Sequence, residues 1–155
     1  MTETKASYKT GRRPKVPRIS EHAEQATFIS EVRSRYGHRR DFTPRLLFAV
    51  PNGAWFGGKK PWAMYAKLKA EGMQKGVSDI LYLQPRGGYA YLVVEMKAQD
   101  KRDKAGAVTQ EQQAFLQAVI AVGATGSVCY GAEEAFRIFS WYMTLPPTKN
   151  VDLSV

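Results

Sequence analysis

Apolar and polar positions change period several times along the chain, and each change marks an element. From Ser20 the chain reads Ser-Glu-His-Ala-Glu, an N-cap followed by acidic residues where the helix dipole favours them. Phe28, Val32 and Tyr36 then recur at helical spacing until Gly37 stops the run. Arg45-Leu-Leu-Phe-Ala-Val50 is a continuous apolar run closed by Pro51-Asn-Gly53, which predicts a buried strand and a turn. A Gly- and Lys-rich stretch, Gly57-Gly-Lys-Lys-Pro61, leads into a predicted helix over residues 62 to 71, ended by Gly72. Asp79-Ile-Leu-Tyr-Leu-Gln84 and Tyr89 to Lys97 flank Pro85-Arg-Gly-Gly88, a loop with hairpin chemistry, so two antiparallel strands are expected. A helix from Thr109 to about Val122, a strand near Thr125 to Tyr130 and a helix near Ala132 to Met143 complete the pattern.

The resulting order, α-β-α-β-β-α-β-α, combines a hairpin with helical crossovers and predicts an α/β fold with a central mixed sheet covered by helices on both faces. A chain of 155 residues has room for one sizeable core. We divide it into a flexible basic arm over residues 1–18, one domain over 19–145 and a loose tail over 146–155. The arm holds Lys5, Lys9, Arg12, Arg13, Lys15 and Arg18 with almost no apolar side chain.

Charge narrows the partner. A net charge of +9 favours a polyanion, with nucleic acid the leading candidate, because each neutralised phosphate releases counterions. No apolar run is long enough to span a membrane, and Met1 to Tyr8 lack the apolar core of a secretion signal, so a soluble, cytoplasmic setting is expected. One cysteine, Cys129, and two histidines, His22 and His38, exclude an internal disulfide and a Cys/His zinc cluster. Any metal must be held by carboxylates.

The carboxylates that could do so emerge from the hairpin. Residues two apart on a strand share a face, so Glu95 and Lys97 point together while Val94 and Met96 point away. Folding about Pro85–Gly88 brings Asp79 opposite roughly 94 or 95. Two carboxylates and a lysine then converge at one sheet end. Such a pair suits Mg²⁺ or Mn²⁺, and a lysine beside it can orient a metal-bound water or offset charge developing on a phosphodiester under attack. Structural roles compete with this reading, since Asp79 can cap a turn and Glu95 and Lys97 can pair in solvent. The segment Trp55 to Lys69 interleaves Lys59, Lys60, Lys67 and Lys69 with Trp55, Phe56, Trp62 and Tyr65, a mixture suited to phosphate contact and base stacking. Trp62 and Tyr65 are read as core aromatics of an amphipathic helix; Lys59 and Lys60, flanked by glycines, are the better phosphate contacts.

From Ser20 to the 130s the chain resembles the virus-type replication-repair nuclease (VRR-NUC) family of the PD-(D/E)xK superfamily. The matching segments are Ser20-Glu-His-Ala-Glu-Gln25, Pro51-Asn-Gly53, Glu71-Gly-Met-Gln-Lys-Gly-Val-Ser-Asp79, Val94-Glu-Met-Lys97, Thr109-Gln-Glu-Gln112 with Phe115, and Gly123-Ala124. Ser78 departs from the pattern, standing where the family usually has proline. The resemblance implies a restriction-endonuclease-like core in which Asp79, Glu95 and the main-chain carbonyl of Met96 bind the metal and Lys97 is catalytic. It adds a glutamate from the first helix and a later glutamine. Glu21 shares a helical stripe with Gln25, Phe28 and Val32 and is the preferred glutamate, with Glu24 its rival one turn along. Gln112 is the glutamine, although Thr109-x-x-Gln112 also fits a capping box. Asn52 and Lys75, inside matching segments, join Lys59 and Lys60 as candidate nucleic-acid contacts.

These features point to a metal-dependent, structure-specific DNA endonuclease. By resemblance it would act on branched DNA such as Holliday junctions in repair or recombination, leave a 5′-phosphate and work as a homodimer. A compact nuclease of this kind would suit a phage. Two alternatives stand beside it: an inactive nucleic-acid-binding protein on a relict nuclease fold, and an RNA-directed nuclease, since no 2′-OH-reading element is visible.

Overall fold

Leu92–Lys97 (β3) is buried at all six positions, which requires cover on both faces, and the chain supplies it with helices. The computed structural model describes residues 18–51 and 61–148. In chain order the elements are α1 (Glu21–Tyr36), a 3₁₀ turn (Pro44–Leu46), β1 (Leu47–Ala49), α2 (Pro61–Ala70), β2 (Ile80–Tyr82), β3, a second 3₁₀ turn (Gln99–Lys101), α3 (Gln110–Ala121), β4 (Thr125–Tyr130) and α4 (Ala132–Thr144). The predicted order of helices and strands is the observed one. The basic arm up to residue 17, together with Asn52, Trp55, Phe56, Lys59 and Lys60, lies outside the described residues.

The helix ends form where local chemistry dictates. The Ser20 hydroxyl accepts from Ala23 N at 3.2 Å, Gly37 closes α1, and Thr109 with Gln112 forms a reciprocal capping box at the start of α3.

The sheet order is β1-β2-β3-β4, with β1–β2 and β2–β3 antiparallel and β3–β4 parallel. The parallel pair is joined through α3. One face carries Ile80, Tyr82, Leu92, Val94 and Met96, packed against Phe28 and Val32 of α1 and Ala135, Phe139 and Tyr142 of α4. The opposite face carries a smaller cluster of Val93, Val119 and Ala124, with Leu81, Phe115 and Leu116 around it. The cover on this second face comes from α3.

The hairpin is anchored by Arg86, which is 2% exposed. Its guanidinium donates to Leu145 O at 2.9 Å, Met143 O at 2.9 Å, Asp41 O at 3.0 Å and Asp41 Oδ2 at 3.1 Å. A buried cation is tolerated when its donors are this fully used. Asp41 also accepts from Arg39, and the two cations hold its carboxyl down to about 2, with Arg39 the larger influence. Pro146 to Thr148, expected in a loose tail, instead pair with the hairpin: Gly87 N donates to Pro146 O at 2.8 Å and Thr148 N to Pro85 O at 3.1 Å.

Two expectations are corrected. The run ending at Val50 was expected to form a buried strand, but β1 is the sheet's edge and buries only Leu47, leaving Phe48 and Ala49 exposed. Trp62, expected in the core, is 83% exposed on α2. An apolar residue in a helical pattern is buried only if its face meets the body of the fold, and that depends on how the helix docks.

Candidate active site

The hairpin register aligns Ile80 with Val94, and one step further places Asp79 opposite Glu95. Asp79 lies at a bend just before β2, so Met96 has no ladder partner on that side. Its N–H donates instead to Asp79 Oδ2 at 2.8 Å. The N–H and C=O of a strand residue point to the same edge, so the Met96 carbonyl also projects beyond the start of β2. Two carboxylates and a main-chain carbonyl thus gather where the sheet ends, a set of hard oxygen donors.

Glu95 and Lys97 share the face covered by α3. Glu95 is fully buried, and its Oε1 accepts from Lys97 Nζ at 2.9 Å and from Gln112 Nε2. Among the described residues Glu95 Oε2 has no hydrogen-bond partner. Burial pushes the Glu95 carboxyl above its ordinary value, Asp79 adds to the rise by like-charge repulsion, and Lys97 opposes it. The Ser78 hydroxyl, also fully buried, has no hydrogen-bond partner among the described residues.

Gln112 performs two tasks at once. Its Oε1 accepts from Thr109 N at 2.9 Å in the capping box, while its Nε2 reaches Glu95. The loop carrying Asp79 is drawn against the same helix start: Gly76 has φ +76°, and a Cβ there would lie 2.4 Å from the Glu111 carbonyl carbon. Only glycine satisfies both the positive φ and the close approach.

The other candidates are placed differently. Glu21 belongs to α1, which packs on the opposite face of the sheet. Its Oε1 accepts from Lys101 Nζ at 2.8 Å and more weakly from Ala98 N at 3.4 Å, at the C-terminal end of β3. Glu24 is the buried glutamate of the helix, and its Oε2 accepts from Ala132 N at 2.8 Å at the start of α4. Among the described residues no three His, Cys, Asp or Glu side chains gather as a metal-holding group, so neither glutamate joins Asp79 and Glu95 in this structure. Lys75 is exposed, with Nζ 5.6 Å from the centre of the Tyr65 ring.

Ser78 and Lys101 are the neighbours that sequence reasoning did not place here. Ser78 immediately precedes the bend at Asp79 and is fully buried. Among the described residues no helix is long and apolar enough to cross a membrane.

Comparisons with known proteins bear on the family and the fold. The family model of the VRR-NUC domain matches residues 57–133. A solved structure of a VRR_NUC domain protein superposes with a TM-score of 0.66 at 18% identity, covering 86% of this chain and 96% of the other. At that identity the likeness concerns the fold. No curated protein sequence matches the chain.

Proposed function

Because the chain belongs to the VRR-NUC nuclease family, we propose that it is a divalent-metal-dependent endonuclease acting on branched or otherwise structured DNA. The observation that carries this reading is Glu95: a fully buried carboxylate, one oxygen gripped by Lys97 and Gln112, the other without a partner, beside a second carboxylate. Burying like charges together is costly unless a cation offsets them. Asp79, Glu95 Oε2 and the Met96 carbonyl fit Mg²⁺ or Mn²⁺, which bind few protein oxygens and retain several waters.

When bound, the ion would polarise a phosphoryl oxygen and lower the pKa of a water. Lys97, held beside Glu95 at 2.9 Å, supplies positive charge where the attacked phosphodiester accumulates negative charge. Gln112 keeps Glu95 in one orientation and so preserves the spacing to Asp79. Glu21 enters the metal site only if Lys101 releases it, which makes it an outer contributor.

The net charge of +9 supports a polyanionic substrate. Lys75, on the loop leading to Asp79, is a phosphate contact in this reading, as are Asn52, Lys59 and Lys60. Trp62, 83% exposed on a helix that also carries Lys67 and Lys69, offers a stacking surface for an unpaired base. A homodimer would match a four-way substrate, and sedimentation as a monomer at working concentrations would count against junction resolution.

The test is cleavage of labelled duplex, flap, splayed-arm and four-way DNA, with a matched RNA, by wild type and Asp79→Ala in Mg²⁺, Mn²⁺ or EDTA. Metal-dependent cutting of branched DNA, lost in Asp79→Ala, is the expected result. Binding without cutting in every metal would establish a relict fold, and preferential cutting of RNA would redirect the substrate assignment.

A further inference from the structure

Positive charge is committed differently at the two ends of α1. Residues 33–45 hold five arginines, no lysine and a single acid, Asp41. Asp41 is already held by Arg39 and Arg86, and Arg35 pairs with Glu31. Arg33, Arg40 and Arg45 remain: all three are exposed, and none has a carboxylate or side-chain hydrogen-bond partner among the described residues. Around the C-terminal end of β3 the cations are taken, since Arg18 and Lys104 pair with Asp100, Lys101 with Glu21 and Arg102 with Glu134. The helix dipole gives Arg33 a local reason to sit in the last turn of α1, but that effect does not extend to Arg40 or Arg45.

Two elements locate these arginines relative to the carboxylates. α1 begins beside Ala98, where Glu21 accepts its N–H, and reaches Tyr36 about 22 Å away at 1.5 Å per residue. β1 runs from the Arg45 end toward Val50, whose N–H donates to Asp79 O, a span of about 17 Å at roughly 3.4 Å per residue. Both routes put the arginines roughly 20 Å from the carboxylate pair. The loop that carries Arg40 is held in place: Phe42 is buried, Thr43 N donates to Gln84 Oε1 at 3.0 Å, and Asp41 O accepts from Gln84 Nε2 at 2.8 Å and from Arg86 at 3.0 Å. A surface ordered in advance loses little entropy when a ligand binds.

We propose that Arg33, Arg40 and Arg45 form a second phosphate-backbone contact, holding a duplex arm of the nucleic-acid substrate about six base pairs from the bond that is cut, at 3.4 Å per base pair. The inference rests on the nucleic-acid reading above and adds to it a surface remote from the metal site. Guanidinium groups stay charged and match phosphate geometry, and a duplex is stiff over such a length, so contact at one end orients the other.

The experiment follows the anisotropy of a fluorescein-labelled DNA duplex of about 20 base pairs, roughly two helical turns, against salt in EDTA. The whole chain is used as wild type, as the triple variants Arg33→Ala/Arg40→Ala/Arg45→Ala and Arg33→Lys/Arg40→Lys/Arg45→Lys, and as the single variants Arg40→Ala and Arg137→Ala. Each phosphate contact contributes about 0.9 to the salt slope, so the triple alanine variant should lose about 2 to 3 from that slope and bind roughly 100-fold more weakly near 0.1 M salt. Its melting should match wild type, and the triple lysine variant, which keeps the charge, should recover most of the affinity. Arg137, with its side chain 74% exposed on α4, reports the loss of one charge elsewhere, so Arg137→Ala should weaken binding less than Arg40→Ala. Wild-type affinity and slope in the triple alanine variant overturn the inference and leave the nuclease reading intact. Equal losses in Arg40→Ala and Arg137→Ala overturn it too, because net charge alone would then explain binding. Wild type that binds single-stranded but not duplex DNA also overturns it, and wild type that binds no nucleic acid overturns the substrate reading with it.

Discussion

Asp79 should hold two separable roles, and a pair of substitutions divides them. Its carboxylate repels Glu95, and its Oδ2 accepts the Met96 N–H at 2.8 Å where β2 no longer supplies a ladder partner. Asp79→Asn keeps an acceptor for that N–H and removes the charge. Asp79→Ala removes both. The difference between the variants isolates the capped N–H, and leaving a partly buried donor without a partner costs about 1–2 kcal/mol. In a domain of this size each kcal/mol moves the melting temperature by about 2–4 °C, so Asp79→Ala should melt about 2–8 °C below Asp79→Asn. Asp79→Asn should melt at or above wild type, because the repulsion that disfavours an ionised Glu95 is gone. The assay is thermal melting by circular dichroism at neutral pH in EDTA, with cleavage measured in parallel in Mn²⁺. Both variants should lose metal-dependent cleavage. If the two melt together, or if Asp79→Asn is the less stable, then Asp79 does not cap Met96 and the account of how β3 ends is wrong.

Three further outcomes follow from the same geometry. Thr109→Ala should cost about 1 kcal/mol through loss of the α3 cap and leave cleavage near wild type, whereas Gln112→Ala should show a similar loss plus at least a roughly tenfold fall in cleavage; denaturant unfolding and steady-state rates separate them. Arg86→Met should destabilise by about 3 kcal/mol or more in urea unfolding, since it takes the guanidinium from the Met143 and Leu145 carbonyls and leaves the Asp41 carboxylate to Arg39 alone. Glu95 has a folded-state pKa above its unfolded value of 4.5, so between those values the native state keeps a proton that the unfolded chain releases. That contribution to stability is greatest below about pH 4.5 and falls as pH rises. Glu95→Gln should therefore flatten the decline in melting temperature with pH measured in EDTA, and an unchanged slope would remove Glu95 as its source.

Features set by neighbours in sequence were legible before any tertiary contact was known. Ser20, Gly37 and the Thr109–Gln112 box bound their helices because each acts on backbone groups within a turn. The approach of Asp79 to Glu95 was readable because a short loop fixes hairpin register, and register decides which side chains face each other. The period-two rule likewise put Glu95 and Lys97 on one face.

Other features depended on which surfaces the folded chain brings together. Nothing local shows that β1 is an edge strand, or that α2 turns Trp62 to solvent, because burial is a property of packing rather than of hydrophobicity alone. The helical stripe favoured Glu21 over its rival Glu24; the docking of α1 against α4 ties Glu24 to Ala132, while the end of β3 leaves Glu21 with Lys101. Ser78 read as a lost proline, and only the folded chain shows its side chain fully buried beside Asp79. Hydrophobic period, caps and turn chemistry act over a few bonds and so identify the elements and the pairing of the two carboxylates. The surroundings of those carboxylates come from several separate segments of the chain, and their meeting is decided by the free energy of packing the whole core.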